Sequence, residues 1–231
     1  MQEIELKKVE MDFHVREAYK TLRSNIEFSG EDVRVVAVTS CAPSEGKSST
    51  SYHLARAFAE NGNSVLLIDA DLRKSVMRSL HKRGRVRLGL VHGLVGKNAF
   101  DDIRCKTDLA NFDMVFAGPV PPNPSELLGN KRFREIIEKA RKQYNYVIID
   151  TPPIGSVIDG AVVAKVCDGV MLVVEAGNVS YRFAQKVKEQ LEKAECRILG
   201  VVLNKVRLNR KGYYGKYYGK YYGAYYGTYG E

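Results

Sequence analysis

The sequence predicts an α/β domain, a mostly parallel sheet with helices on both faces, and three observations carry that prediction. Short β-branched runs recur along the chain: "VRVVAVTS" from Val33, "VLLID" ending at Asp69, "YVIID" ending at Asp150, then "GVMLVVE" and "ILGVVLN". Helical patterns fill the intervals, and that alternation builds a parallel sheet whose two faces are both covered. The first run breaks off into "CAPSEGKSST", and a helical pattern follows at once. Ligands of such sheets sit at the carboxyl ends of the strands, where this loop, Asp69 and Asp150 all fall.

Taken in order, Val15, Ala18, Tyr19, Leu22 and Ile26 form one helical stripe near the N-terminus, with Glu17, Lys20 and Arg23 at charged positions. Such a stripe reads as core packing with its charges solvated. The strand from Val33 follows, then the loop, then a helix through Leu54, Ala55 and Phe58 to Asn61-Gly62. Cys41 to Ser48 match G-x-x-x-x-G-K-[ST] except that Cys41 replaces the first glycine. The physical parts of a phosphate loop survive. Gly46 lets the backbone approach a phosphate, Lys47 reaches the β/γ oxygens, Ser48 ligates Mg²⁺, and the helix N-terminus favours anions. Strand and helix flank the loop as a P-loop NTPase requires, so a nucleotide-binding fold is expected.

Asp69 and Asp71 in "LLIDADLR" bring two carboxylates to the loop, and Asp150, which closes a buried strand before Thr151-Pro152-Pro153, brings a third. Crowded carboxylates call for a cation, and an arrangement of one metal plus a carboxylate facing an acceptor hydroxyl suits phosphoryl transfer. The basic run Lys82, Arg83, Arg85 and Arg87 reads as a solvated loop. In "PPNPSELLGNKRF", Asn123 is an N-cap, Pro124 takes the first helical position and Glu126 completes a capping-box-like pattern. Asn204, after the last strand, either reads a base edge or serves a turn. The Asp of a guanine-reading NKxD motif is missing from "NKVR".

The formal net charge is +9, and residues 207–231 hold five basic side chains against Glu231, 5 − 1 = +4. Cys41, Cys105, Cys167 and Cys196 are scattered without metal-site or disulfide spacing, which fits a reducing cytoplasm. No run approaches the roughly 18 apolar residues of a membrane span, and "MQEIELKKVE" is too charged for a signal peptide. Glycines at Gly215, Gly219, Gly223 and Gly227 disfavour a helix in the C-terminal tail, whose paired tyrosines fit neither period, so the tail reads as disordered. Its tyrosines, Tyr213, Tyr214, Tyr217, Tyr218, Tyr221, Tyr222, Tyr225, Tyr226 and Tyr229, are either a stacking surface or a cluster of phosphorylation sites. Residues 1–30 form an N-terminal segment, 31–206 the nucleotide-binding domain, and 207–231 the tail.

The set "APSEGKSS", "LLIDADLR", "IIDTPP", "NPSELL" and the tyrosine tail resembles the bacterial tyrosine kinases that regulate capsule and exopolysaccharide synthesis, P-loop autokinases unrelated to those with HRD and DFG triplets. The resemblance implies an ATP- and Mg²⁺-dependent autokinase that phosphorylates the tail tyrosines in trans. It places Ser44, Glu45, Gly46, Lys47, Ser48 and Ser49 on the nucleotide with Asn204. It gives Ser48, Asp69, Asp71 and Asp150 to the metal shell, with Asp69 also orienting or deprotonating the incoming tyrosine and Lys47, Asp69, Asp71 and Asp150 as the catalytic set. It also implies a ring of subunits joined through an E-x-x-R-x-x-R helix, here Glu17, Lys20 and Arg23 with Lys20 in place of the first Arg. The expected partners are a separate transmembrane polysaccharide copolymerase that recruits the cytoplasmic chain to the membrane and activates it, and a phosphotyrosine phosphatase; no nucleic acid is expected. The alternative, a cell-division or plasmid-partition type ATPase, shares fold and P-loop but carries a second lysine early in the loop, where Ala42 stands here, and lacks a tyrosine tail.

Overall fold

The computed structural model describes residues 2–206, and the tail tyrosines lie outside the described residues. In chain order the elements are β1 (Gln2–Leu6), α1 (Phe13–Glu27), β2 (Val35–Ser40), α2 (Lys47–Glu60), β3 (Val65–Asp69), a 3₁₀ turn (Met77–Leu80), β4 (His81–Gly84), α3 (Leu90–Leu94), α4 (Phe100–Ile103), β5 (Cys105–Thr107), β6 (Phe112–Val115), α5 (Pro124–Gly129), α6 (Lys131–Gln143), β7 (Tyr146–Asp150), α7 (Asp159–Ala164), β8 (Gly169–Glu175), α8 (Tyr181–Lys193) and β9 (Ile198–Asn204). One sheet runs β4-β1-β5-β6-β3-β7-β2-β8-β9. From β6 to β9 every neighbouring pair is parallel. At the other edge β5 is antiparallel to β6, and β4 to β1.

The central strands are apolar on both faces because both faces are covered. Val35, Ala37, Leu66, Ile68 and Ile149 pack beneath α3 to α8, whereas Val36, Val38, Val65, Leu67 and Ile148 pack beneath α1 and α2. Phe58 of α2 is fully buried and stacks on Tyr146 of β7 with ring centroids 4.0 Å apart. Burying one such side chain contributes about 1.5–3 kcal/mol. The period of two has a consequence for the site: Asp69 continues the Val65, Leu67 face and Asp150 the Ile148 face. Both carboxylates therefore emerge toward α2, at register positions directly opposite each other.

Three expectations change. The basic run is a strand at its start, since Lys82 and Arg83 belong to β4, held against β1 by ladder bonds and by the Lys82–Glu5 ion pair at 2.6 Å. The stripe on α1 is buried only toward its C-terminal end: Ile26 is enclosed, Tyr19 and Leu22 half-buried, but Val15 is 45% exposed and Ala18 is exposed, because only the second half of the helix meets the sheet layer. Asn123 precedes α5 as expected, but its amide donates to Glu126 at 2.7 Å and its side chain caps no backbone N–H.

Candidate functional site

The P-loop is shaped by backbone conformation and then fixed by side chains. Ser44 (φ 67°) and Gly46 (φ 92°) are left-handed, and Gly46 leads directly into α2. Gly46 is obligatory twice over, because a Cβ there would also lie 2.1 Å from the Asn204 amide nitrogen. Cys41, in contrast, is outside the left-handed region and fully buried in the core. Its position needs no glycine, and burial pushes the thiol up to about 11, so it is an apolar wall and not a nucleophile.

Glu45 is fully buried and clamps the loop: one carboxylate oxygen accepts the Ala42 N–H at 2.6 Å and the other the Glu175 N–H at 3.1 Å. Asn204 ends β9 beside the loop and donates from Nδ2 to the Glu45 carbonyl at 2.9 Å. Lys205 donates to the Ser44 carbonyl at 2.7 Å and pairs with Glu175 at 3.0 Å. Asn204 is thus a loop buttress rather than a turn residue. Ser49 is exposed in the first turn of α2.

Lys47 is buried among carboxylates. Its Nζ lies 3.1 Å from Asp71 Oδ2, 3.7 Å from Asp150 Oδ2 and 3.2 Å from Ser48 Oγ. Ser48 donates to Asp150 Oδ2 at 2.6 Å, and Ser51, one turn further along α2, donates to Asp150 Oδ1 at 3.2 Å. Asp71 accepts the Lys74 N–H at 3.0 Å. Asp69, fully buried, accepts the Asp71 N–H at 3.2 Å and a short bond from the Ser75 hydroxyl. Lys47, Ser48, Asp69, Asp71 and Asp150 therefore converge as the sequence predicts. Their charges do not balance: three carboxylates surround one ammonium. Burial, reinforced by Asp150, raises Asp69 to about 7, and burial raises Asp150 to about 6 despite Lys47 and Ser48. Burial works against the Lys47 ammonium, but Asp150 and Asp71 overcome it and hold the group above its ordinary value.

Among the described residues no three His, Cys, Asp or Glu side chains form a ready-made metal cluster. The donor set fits Mg²⁺ all the same. Mg²⁺ takes hard oxygens, keeps several waters and needs only one or two protein ligands beside phosphate, and the Ser48–Asp150 contact supplies them. A divalent charge would also offset the carboxylate excess.

A second cluster escaped sequence reasoning. Arg73, two residues beyond Asp71, forms a forked pair with the fully buried Asp159 at the start of α7 (2.7 and 3.2 Å) and reaches Ser125 of α5 at 3.2 Å, and Ser125 itself donates to Asp159. The "NPSELL" segment is therefore tied to the loop that carries Asp71. On α1, Lys20 pairs with Glu17 at 2.7 Å, while Arg23 turns toward α2 and donates to the Ala57 carbonyl at 3.3 Å.

The family described as AAA domain matches residues 33–199. The chain is 42% identical over 217 residues to the tyrosine-protein kinase CpsD of Streptococcus agalactiae, covering 89% of this chain and 95% of that one. Among solved structures it is similar to the chimerical protein CapA2B2 (32% identity, TM-score 0.79, 88% of this chain and 93% of that one). It is also similar to the kinase domain of the Escherichia coli tyrosine kinase ETK (34%, TM-score 0.77, 83% and 75%). The septum site-determining protein MinD of Pyrococcus horikoshii shares the fold alone, at 22% identity and TM-score 0.65, with 81% of this chain and 76% of that one aligned.

Proposed function

Because the chain belongs to the bacterial tyrosine kinases and is a protein-tyrosine kinase built on a P-loop, we propose that it transfers phosphate from ATP to the tyrosines of its own tail and so regulates capsule or exopolysaccharide synthesis and export. The observation that carries this reading is the placement of Asp69 and Asp71 at the carboxyl end of β3, two strands from the P-loop, beside Asp150 and Lys47. A nucleotide hydrolase needs the Ser48–Asp150 pair; the additional buried Asp69 supplies a hydrogen-bond acceptor for an incoming hydroxyl.

Mg²⁺, when bound, would supply charge neutralisation on the phosphates, with Ser48 and Asp150 as its protein contacts and Asp71 beside them. The protein's own residues do the rest. The N-terminus of α2 and the P-loop amides receive phosphate oxygens. Lys47, which here pairs with Asp71 and Asp150, would donate to the phosphoryl oxygens on which charge develops. Asp69 accepts the hydrogen bond of the tyrosine hydroxyl and orients it in line. Because the transition state of such transfers is loose, positioning and charge outweigh base strength. Asn204 and Glu45 hold the loop in shape from behind.

The alternative of a partition-type ATPase has the fold-only likeness to MinD behind it and leaves the tyrosine tail unexplained. A transmembrane activator, a phosphatase and a ring of subunits belong to the same proposal. The apolar Phe13 and Val15, exposed on α1 next to the Glu17–Lys20 pair, are what that helix offers a neighbouring subunit. The test is incubation with ATP and Mg²⁺ followed by phosphotyrosine detection. The wild-type chain should label and Lys47→Met should label at least about 100-fold less, with thermal unfolding showing that the variant is folded. Equal labelling of the two would contradict the assignment.

A further inference from the structure

Beyond Asp69, on the side of the sheet away from the nucleotide loop, lies a cavity of about 250 Å³ lined by Arg78, Arg87, His92, Phe116 and Gly118 among others. Sheet topology fixes where it is. β6 is the neighbour of β3, and Ile68 pairs with Val115, so Phe116 is level with Asp69 one strand spacing away, about 5 Å. The P-loop lies on the opposite side of β3, across β7. The order along the carboxyl edge is therefore nucleotide loop, acceptor carboxylate, cavity. Arg78 sits on the same connection as Ser75, the hydroxyl partner of Asp69.

The lining is equipped for an aromatic anion. Arg78 and Arg87 are exposed at its rim and form no ion pair with a carboxylate among the described residues, so both guanidinium groups are open to an anion. The Arg87 backbone is anchored by the Gln2 side chain at 2.6 Å, which fixes the root of its guanidinium stem. His92 Nδ1 accepts the Gly89 N–H at 3.0 Å, which leaves Nε2 as the donor of the ring. Val86, Leu88 and Phe116 add apolar surface. The volume lies below the roughly 300–1,000 Å³ of a site for a whole small-molecule ligand, and suits one side chain.

Resting on the autokinase reading, we propose that this cavity binds a phosphotyrosine of the tail of another copy of the chain, and so holds a partly phosphorylated tail while its next tyrosine pair reaches Asp69. Two features of the sequence point to that occupant. The tail carries +4, so an unmodified tail is repelled by the two guanidinium groups, whereas each phosphate adds about −1.5 to −2 charges and reverses the sign. Tyrosine pairs recur every four residues from Tyr213 to Tyr226, and four extended residues span at most about 14 Å. A phosphate is repelled where it is made, among Asp69, Asp71 and Asp150, and attracted one strand further on. Forked arginine–phosphate contacts supply the specificity.

The test uses the full chain, dephosphorylated and without nucleotide, titrated with a labelled peptide of residues 213–222 made with and without phosphate on Tyr221. The phosphopeptide should bind about tenfold or more tightly than the plain peptide, the worth of one or two charge-assisted bonds. The double variant Arg78→Ala/Arg87→Ala should lose that preference, Arg78→Lys/Arg87→Lys should keep part of it, and Arg85→Ala, an exposed cation outside the cavity, should keep all of it. Equal binding of the two peptides, or equal losses in the Arg85 and double variants, overturns the proposal. Mass spectra after limited reaction give a second readout: the double variant should accumulate singly phosphorylated tails where the wild type shows multiply phosphorylated ones. Transfer without phosphopeptide preference overturns the cavity alone. Arginine-dependent phosphopeptide binding without any transfer overturns the kinase reading and leaves the cavity standing.

Discussion

Asp69 shows most directly how burial is turned into chemistry at the scale of one residue. It is enclosed in the sheet edge with Asp150 opposite and Asp71 two residues on, and burial and that like charge raise it to about 7, against about 3.9 in an unfolded chain. A raised folded value means that the native state binds the proton more tightly than the unfolded state. The associated stability is fully present below about pH 4 and is lost as pH rises through about 7. The metal- and nucleotide-free chain should therefore melt at a lower temperature at pH 8 than at pH 5.5. Asp69→Asn, which keeps the oxygen facing the Asp71 N–H, should make that slope shallower and raise the melting temperature at pH 8 by a few degrees, about 1 kcal/mol or more. The same variant should label far less phosphotyrosine, a trade of stability for function. A variant whose melting temperature falls with pH as steeply as the wild type would contradict the assigned cause. Asp150, raised to about 6 for the same reason, accounts for the slope that remains.

At the scale of elements, the loop after β3 is held from outside by α5 and α7 through the Arg73, Ser125 and Asp159 cluster. Asp159→Asn leaves the shape of the side chain but removes the charge that Arg73 forks around. It should cost about 1–3 kcal/mol in urea unfolding and lower turnover, because Asp71 is two residues from the freed arginine. An unchanged unfolding midpoint would show the cluster to be incidental. The sequence reveals some elements and hides others for physical reasons. β2, β3, β7, β8 and β9 are legible because strands covered on both faces are continuous apolar runs. β1, β4, β5 and β6 are not: "QEIEL", "HKRG", "CKT" and "FDMV" are short, and three of them carry charged residues at positions left open at the sheet's far edge. Lys47, Asp69 and Asp150 are legible because each ends or follows a strong run. Ser75, Asp159 and Ser125 are not, and Glu45, expected on the nucleotide, hides its role as a loop clamp, since these roles lie in bonds to residues up to 130 positions away, and no local pattern marks such a partner.

For the whole molecule, the basic tail and the acidic site form a complementary pair. The tail begins at residue 207, three positions after Asn204, the last residue of β9, which buttresses the P-loop. Nineteen residues follow from Tyr213, a length that can span at most about 60 Å, enough to reach a neighbouring subunit. The +4 charge draws the tail toward three carboxylates, and two or three phosphates cancel it. One mixing experiment tests the central claim, that one copy's P-loop site phosphorylates another copy's tail. Full-length Lys47→Met chain, which supplies tyrosines but no catalysis, is incubated with ATP, Mg²⁺ and a wild-type chain truncated after Arg210, which supplies catalysis but no tail tyrosines. Phosphotyrosine should appear on the full-length chain, in the residue 213–229 peptides and only when both proteins are present. A full-length chain that stays unlabelled, while the untruncated wild type labels itself, would contradict the claim.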